Sequence, residues 1–368
     1  MRIGINCRSF LKKESSGIGR YASNLVRSLS DIDQKNEYWL YAPKGLFDRR
    51  RRLPQAPAAN FKIKTDYCRR GANRILRGVA CYHLPSLDFP DMPDVPLVVT
   101  VHDLIFKVYP DVHPADARDL MERQLAAVVE ASDKIICCSL STIEDLGRFY
   151  DIDEDKLRLI YQGVDKNEFY PLPDDERPRA QEDLRSLGIT GPFILSVGTL
   201  EPRKNLKNLM KAFAILKEKN IFDGRLVVAG GKGWMMEPLE GWLKENRIEE
   251  NCVLLGYLPD ATLRHLYNLA EIFVFPSFYE GFGFPIVEAM SCGAAVVTSN
   301  VSSCPEVAGD GALTADPGSP EKIAEAMASL IEDQHLKQEL QRRALERAKV
   351  FSFRNTAEQT LEVYESLA

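Results

Sequence analysis

Two carboxylates stand eight positions apart in Phe273-Val-Phe-Pro-Ser-Phe-Tyr-Glu280-Gly-Phe-Gly-Phe-Pro-Ile-Val-Glu288. An apolar strand pattern runs into a glycine loop and then a helix pattern. Glu280 therefore belongs to the loop and Glu288 to the first helical turn, with Pro285 suited to the first helical position. Gly281 and Gly283 let backbone N–H groups approach a ligand at a helix end whose dipole favours anions. That chemistry suits a polar ligand rich in hydroxyls, although an ordinary strand-to-helix turn with two surface glutamates has the same pattern. A second group, Arg203-Lys204, follows the strand pattern Phe193-Ile-Leu-Ser-Val-Gly198 and opens a helix pattern. A guanidinium fork and an ammonium point charge side by side make a pyrophosphate site, and equally a common surface pair. A third, His102-Asp103, ends the strand pattern Pro96-Leu-Val-Val-Thr-Val. Ligand crevices in doubly wound sheets lie outside such carboxyl ends, which tilts a histidine there from a structural towards a functional role.

The elements that must position these groups alternate along the whole chain. Arg2–Cys7 reads as a strand buried on both faces, and Ile18, Ala22, Leu25, Val26 and Leu29 form the apolar stripe of a helix. Between them, Gly17-Ile-Gly19-Arg-Tyr-Ala22 matches the dinucleotide fingerprint as text. The glycines do not follow the strand directly, and no acidic residue ends the next strand, Tyr38–Ala42, so the nicotinamide reading is weak and the loop is taken as an anion-tolerant helix start. Lys134–Ser139 and Leu157–Tyr161 are further strands. Prolines and charges from Lys166 to Pro192 mark a linker, after which strands recur at 193–198, 226–231, 252–257, 272–276 and 294–298. The expectation is an α/β chain of two Rossmann-like, doubly wound domains facing across a cleft, 1–168 and 191–350, joined by a linker at 169–190. A last helix, 351–368, is expected to pack back towards the first domain.

The 368 residues fit two domains better than one core. The net charge of −6 argues against a general nucleic-acid binder. Between Lys44 and Arg77, however, eleven basic residues face only Asp48 and Asp66. Arg49, Arg50, Arg51, Arg52, Arg69, Arg70, Arg74 and Arg77 could meet an anionic membrane, the last three from an amphipathic helix, or could simply form a solvated charged face. No apolar run reaches the ~18 residues of a membrane span and no signal-peptide core is present, so a cytoplasmic protein is expected, peripheral to the membrane if the basic block binds it. The eight cysteines contain no Cys-x-x-Cys pair and read as reduced core thiols. Asp31-Ile-Asp33, Asp151-Ile-Asp153 and Asp153-Glu-Asp155 fit Asp-x-Asp as text, but fall in polar turns rather than after cleft-facing strands. No metal or cofactor is expected.

Taken together, these motifs resemble a retaining glycosyltransferase of GT-B type, family 4, over essentially the whole length. Glu280-x7-Glu288 is similar to that family's paired glutamates, Gly198-Thr-Leu-Glu-Pro-Arg203-Lys204-Asn205 to its donor-phosphate loop, and Ser302-Ser-Cys-Pro-Glu306 to the turn that follows. His102-Asp103-Leu104 with Pro110 is similar to the mannosyltransferase branch. The resemblance implies that Arg203 and Lys204 neutralise a leaving pyrophosphate. It also implies that Glu280, with the N–H groups around Phe282, Gly283 and Phe284, holds the donor sugar, and that Glu288 accepts from the ribose. Gly198 and Thr199 would border the phosphates, Gly256-Tyr257-Leu258 the base, Gly17 and Gly19 the phosphate and acceptor side, and His102 with Asp103 the sugar near its reacting carbon. GDP-mannose is the expected donor and a saccharide or lipid-linked saccharide the expected acceptor. A UDP-sugar transferase, a nucleotide-sugar epimerase and a silent nucleotide-sugar-binding subunit stand as alternatives. Gln162, where relatives often carry Asn before Gly-Val-Asp, departs from the pattern with no expected change of chemistry.

Overall fold

The computed structural model describes residues 1–11, 17–44, 53–68, 70–87, 93–110, 115–231, 233 and 239–367. It divides into two compact units, Met1–Gly163 with Ser352–Ala368, and Val164–Phe351. In the first unit, strands β1 (Arg2–Asn6), β2 (Glu37–Ala42), β3 (Phe61–Thr65), β4 (Cys81–Leu84), β5 (Leu97–Val101), β6 (Lys134–Cys137) and β7 (Leu157–Leu159) form a sheet of order β3-β2-β1-β4-β5-β6-β7. Every pairing is parallel, with Ile5 opposite His83 and Val101 opposite Cys137. Parallel strands need helical crossovers, which cover both faces, so the strands read as continuous apolar runs. The crossovers are α1 (Gly17–Ile32), α2 (Ala72–Ile75), α3 (Ile105–Val108), α4 (Ala115–Ala131) and α5 (Leu140–Phe149). Helix α1 buries Ala22, Leu25, Val26 and Leu29 of the predicted stripe together with Tyr21, whereas Ile18, in its first turn, is exposed. Ser139 caps α5 by accepting from the Thr142 N–H at 3.1 Å.

In the second unit, β8 (Phe193–Val197), β9 (Arg225–Ala229), β10 (Cys252–Leu254), β11 (Ile272–Phe275), β12 (Val296–Ser299) and β13 (Ala312–Ala315) form a parallel sheet of order β10-β9-β8-β11-β12-β13. Its helices are α6 (Arg177–Ser186), α7 (Leu206–Glu218), α8 (Leu239–Glu245), α9 (Asp260–Leu269), α10 (Phe284–Ser291), α11 (Cys304–Ala308), α12 (Pro320–Glu332) and α13 (Gln334–Ala348). Residues 169–190, expected as a linker, are built into this unit. Their prolines and charges lie largely outside, while Phe169, Leu172, Ala180 and Leu184 are buried, α6 packs on α9, and Asn268 on α9 accepts from the Leu172 N–H at 2.7 Å. The chain then returns to the first unit as α14 (Phe353–Glu365), which packs along α1 and buries Ala357, Thr360 and Tyr364. Gly163 sits where this helix begins: a Cβ there would lie 2.1 Å from the Phe353 nitrogen, so only glycine fits.

Other differences from expectation have local causes. The amphipathic helix expected over Arg70–Arg77 shrinks to the four residues of α2, bounded by Gly71 and Gly78 at positive φ and anchored by Asp66, which accepts from the Arg70 and Gly71 N–H groups. Arg70, Arg74 and Arg77 are exposed, whereas Arg49, Arg50, Arg51, Arg52 and Arg69 lie outside the described residues. Asp33 is no solvated turn residue: it is buried and accepts from the Tyr38 hydroxyl at 2.6 Å and the Asn36 amide at 2.7 Å, closing the turn from α1 to β2. The described cysteines are all unpaired; Cys68 is exposed and Cys252 half-buried, the other six buried. Among the described residues no helix is long and apolar enough to cross a membrane.

Candidate active site

The paired-glutamate stretch folds as β11, a loop, and α10. Gly283, at φ +99°, is the residue before the helix, so Phe284 is its first position, Pro285 its second, and Glu288 falls on the second turn rather than the first. The loop is clamped to its neighbours by side chains. Ser302 both donates to the Glu280 carbonyl, at 2.5 Å, and accepts from the Glu280 N–H, at 3.1 Å. The Ser303 hydroxyl lies 2.9 Å from the carbonyls of Glu280 and of Phe282. From the loop after β8, Asn205 donates to the Pro276 carbonyl and Arg203 O accepts from the Phe278 N–H at 2.8 Å.

These clamps bring three predicted residues into one ion cluster. Glu280 Oε2 lies 2.6 Å from Arg203, and Oε1 accepts from Lys204 Nζ and from the Ser277 hydroxyl, each at 2.6 Å. Arg203 also pairs with Glu201 at 2.7 Å and donates to the Tyr279 carbonyl, while Lys204 Nζ stands 4.7 Å above the Phe275 ring. Glu280, Glu201 and Lys204 are each 9% exposed or less. Burial alone would push the Glu280 carboxyl up; Arg203 and Lys204 reverse this and hold it at about 2, so it is an anion at neutral pH. Burial and then Arg203 press the Lys204 ammonium below its ordinary value, against the pull of Glu280. Two cations and a hydroxyl converge on the carboxylate and keep it ionised. Arg203, Lys204, Glu201 and Glu280 therefore balance in charge before any ligand arrives.

The other positions expected on the donor side lie after neighbouring strands. Gly198 follows β8 and donates to the Ala229 carbonyl, Leu200 donates to Gly231, and Gly230 donates to Gly256, so the loops after β8, β9 and β10 lie side by side. Thr199 is exposed, Leu258 half-buried, and the Tyr257 ring is 71% exposed, open to a flat partner. Phe282 is buried against Phe284 and Phe351. Glu288 accepts from the Tyr267 hydroxyl at 2.9 Å.

In the first unit, Gly17 opens α1, exposed, and Gly19 is buried within it. Asp103 accepts from the Ile105 N–H at 3.2 Å at the start of α3. His102, just past β5, has Nε2 at 2.8 Å from the Pro85 carbonyl, Nδ1 at 2.7 Å from the Gln162 amide, and Tyr21 edge-on with ring centres 5.0 Å apart. Behind it His83 bridges the Tyr364 hydroxyl, at 2.6 Å, and Thr100, at 2.9 Å. Burial, helped by His102, pushes the His83 imidazole down to about 3, so it is neutral.

In the second unit Glu201, Ser277 and Tyr267 thus contact residues singled out from the sequence, and in the first unit Gln162 contacts His102, none of the four having been assigned a role. Glu201 and Ser277 lie inside motifs already singled out, whereas nothing local marks Tyr267 or the side-chain role of Gln162. This arrangement can hold an anionic, hydroxyl-bearing ligand. Against known families, residues 180–349 match the model "Glycosyl transferases group 1" and residues 15–168 the model "Glycosyltransferase Family 4". The chain is 31% identical to the O-antigen chain mannosyltransferase B of Escherichia coli, over 97% of this chain and 98% of that protein. It belongs to the group 1, family 4 glycosyltransferases. The serotype-specific mannosyltransferase WbdA of Escherichia coli is 32% identical over 73% of the chain, which spans 33% of WbdA's length. Solved structures share the fold: the sucrose-phosphate synthase of Thermosynechococcus elongatus, TM-score 0.78 at 20% identity over 100% and 98% of the two chains, and WaaG, a glycosyltransferase of lipopolysaccharide biosynthesis, 0.72 at 16% over 98% and 99%. The fold is therefore GT-B, and this glycosyltransferase belongs to a retaining family.

Proposed function

We propose that this glycosyltransferase moves mannose from GDP-mannose, with retention and without a metal, to a saccharide or lipid-linked saccharide in cell-surface polysaccharide or glycolipid synthesis. The observation that carries the reading is the buried Arg203–Glu280–Lys204 cluster at the strand ends of the second unit. A nucleotide-sugar's pyrophosphate becomes the leaving group in a transfer, and two fixed cations are what its developing charge requires. Arg203 and Lys204 supply them, preorganised by Glu201 and Glu280. Glu280 is exchanged from cation to sugar hydroxyls as phosphate takes its place, Glu288 accepts from the ribose, and Tyr257 covers the base. His102 and Asp103 are assigned to the sugar as well. The mannosyl choice is supported by the likeness to the two Escherichia coli mannosyltransferases. A UDP-sugar donor is the second reading, favoured by Anabaena HepE, solved with UDP and glucose and similar in fold at TM-score 0.74 and 18% identity over 100% of both chains. The exposed Arg70, Arg74 and Arg77 support a peripheral contact with anionic lipid at the inner face of the membrane.

The deciding experiment incubates the protein with GDP-mannose, UDP-glucose and UDP-N-acetylglucosamine in EDTA, without acceptor. Slow release of free mannose from GDP-mannose alone is the expected result. Hydrolysis of a UDP-sugar instead transfers the assignment to that donor, a new nucleotide-sugar isomer makes the protein an epimerase, and binding without turnover makes it a silent subunit.

A further inference from the structure

The ring of His102 is held by two partners of different kinds. Pro85 O is a backbone carbonyl and can only accept, so His102 Nε2, 2.8 Å away, carries a proton. Gln162, 1% exposed, presents an amide to Nδ1 at 2.7 Å. With its NH2 facing the ring, the amide donates to an unprotonated Nδ1. With the amide turned over, its oxygen would need a proton on Nδ1 and the ring would be a cation. The first arrangement is the one present, and it leaves Gln162 Oε1 buried with no hydrogen-bond donor among the described residues. Turning the amide over would leave its NH2 at that unpartnered position and require an imidazolium as well, so this orientation and a neutral ring go together. Around His102, Tyr21 on α1 meets the ring edge-on, the Cys138 thiol after β6 donates to its carbonyl, and His83 on β4 is neutral. Asp103, the next residue, accepts from the Ile105 N–H.

We propose that Gln162 is a positioning residue for the transfer: it holds His102 as the neutral, Nε2-protonated tautomer, so that His102 serves as a fixed wall of the sugar site and carries no proton to or from the substrate. A ring with both nitrogens committed cannot exchange a proton while those bonds last. Its contribution is the placement of its carbon edge and backbone against the sugar. This rests on the reading that His102 contacts the donor sugar.

The test is long-range 1H–15N NMR of the imidazoles, tractable because the chain has only five histidines, with His102 assigned by its loss in His102→Asn. In the wild-type protein at neutral pH, Nδ1 is expected to resonate as an unprotonated nitrogen and Nε2 as a protonated one. Gln162→Glu places an acceptor-only carboxylate at Nδ1 and is expected to convert both signals to the protonated type. Gln162→Met removes the donor while keeping the volume. Both variants are expected to lower kcat on the nucleotide-sugar about tenfold or more, as loss of a fixed orientation does, with KM changed by less than about threefold. A merely structural glutamine would lower the melting temperature and leave tautomer and kcat per folded molecule unchanged, which overturns the proposal. So does a wild-type Nδ1–H tautomer or imidazolium. If the wild type consumes no nucleotide-sugar, the donor reading fails, and with it the catalytic meaning of Gln162, while the spectra still decide its hold on the tautomer.

Discussion

Glu280→Gln separates the charge of the buried cluster from its shape. The wild-type carboxyl titrates at about 2 in the fold against 4.5 as a free side chain. At about 1.36 kcal/mol per pK, that difference amounts to about 3 kcal/mol of stability at pH 7. The side chain is almost wholly buried, so solvent screening discounts this little. The sign follows from the depressed value: the stabilisation is complete above about pH 4.5 and disappears as pH falls through about 2. Glutamine keeps the volume and the bond to Ser277, but takes a carboxylate from Lys204 and from Arg203, which keeps its pair with Glu201. In urea, followed by the fluorescence of Trp242 on α8 in the second unit, the variant should unfold about 1 M earlier at pH 7. The free-energy gap should narrow from about 3 kcal/mol at pH 7 to about 2 at pH 3.5. An unchanged midpoint at pH 7, or a gap that widens on acidification, would refute the claim that opposite charge holds this loop.

Glu280→Gln should also remove most turnover while free GDP still binds, whereas Glu288→Ala should raise the GDP dissociation constant about tenfold, the worth of a hydrogen bond to a charged group; equal losses in calorimetry would dissolve the division between sugar and ribose. Glu201→Gln takes one of two carboxylates from Arg203, so GDP should bind about fivefold tighter at low salt and less so at high salt, and Glu201→Asp should stay near wild type. Lowering ionic strength should increase sedimentation with anionic vesicles, and replacing Arg70, Arg74 and Arg77 by Ala should reduce it, each basic residue contributing about 1 kcal/mol near such a surface; salt-independent sedimentation would point to apolar contact instead.

Much of this protein was legible from local pattern because parallel strands buried on both faces must be written as apolar runs. Arg2–Asn6, Leu97–Val101, Phe193–Val197 and Ile272–Phe275 all satisfy that rule. Strands that break it were missed: Phe61–Thr65 lies at the sheet edge with two lysines, and Cys81–Leu84 has only four residues, one a histidine. The 169–190 stretch misled in the opposite way, since proline and charge density describe its outer face and say nothing of Phe169 or Leu184 beneath. Residue type and spacing alone singled out Glu280, Glu288, Arg203, Lys204 and His102 as candidates for chemistry. Tertiary structure alone decided whom they meet. Glu280 finds Arg203 and Lys204 across about 76 residues of sequence, and His102 finds Gln162 across 60. Helix and strand propensities act over a few neighbours and leave a readable period. A buried charge or a ring tautomer is set by whichever side chains the crossovers bring within 3 Å, and no local period records that.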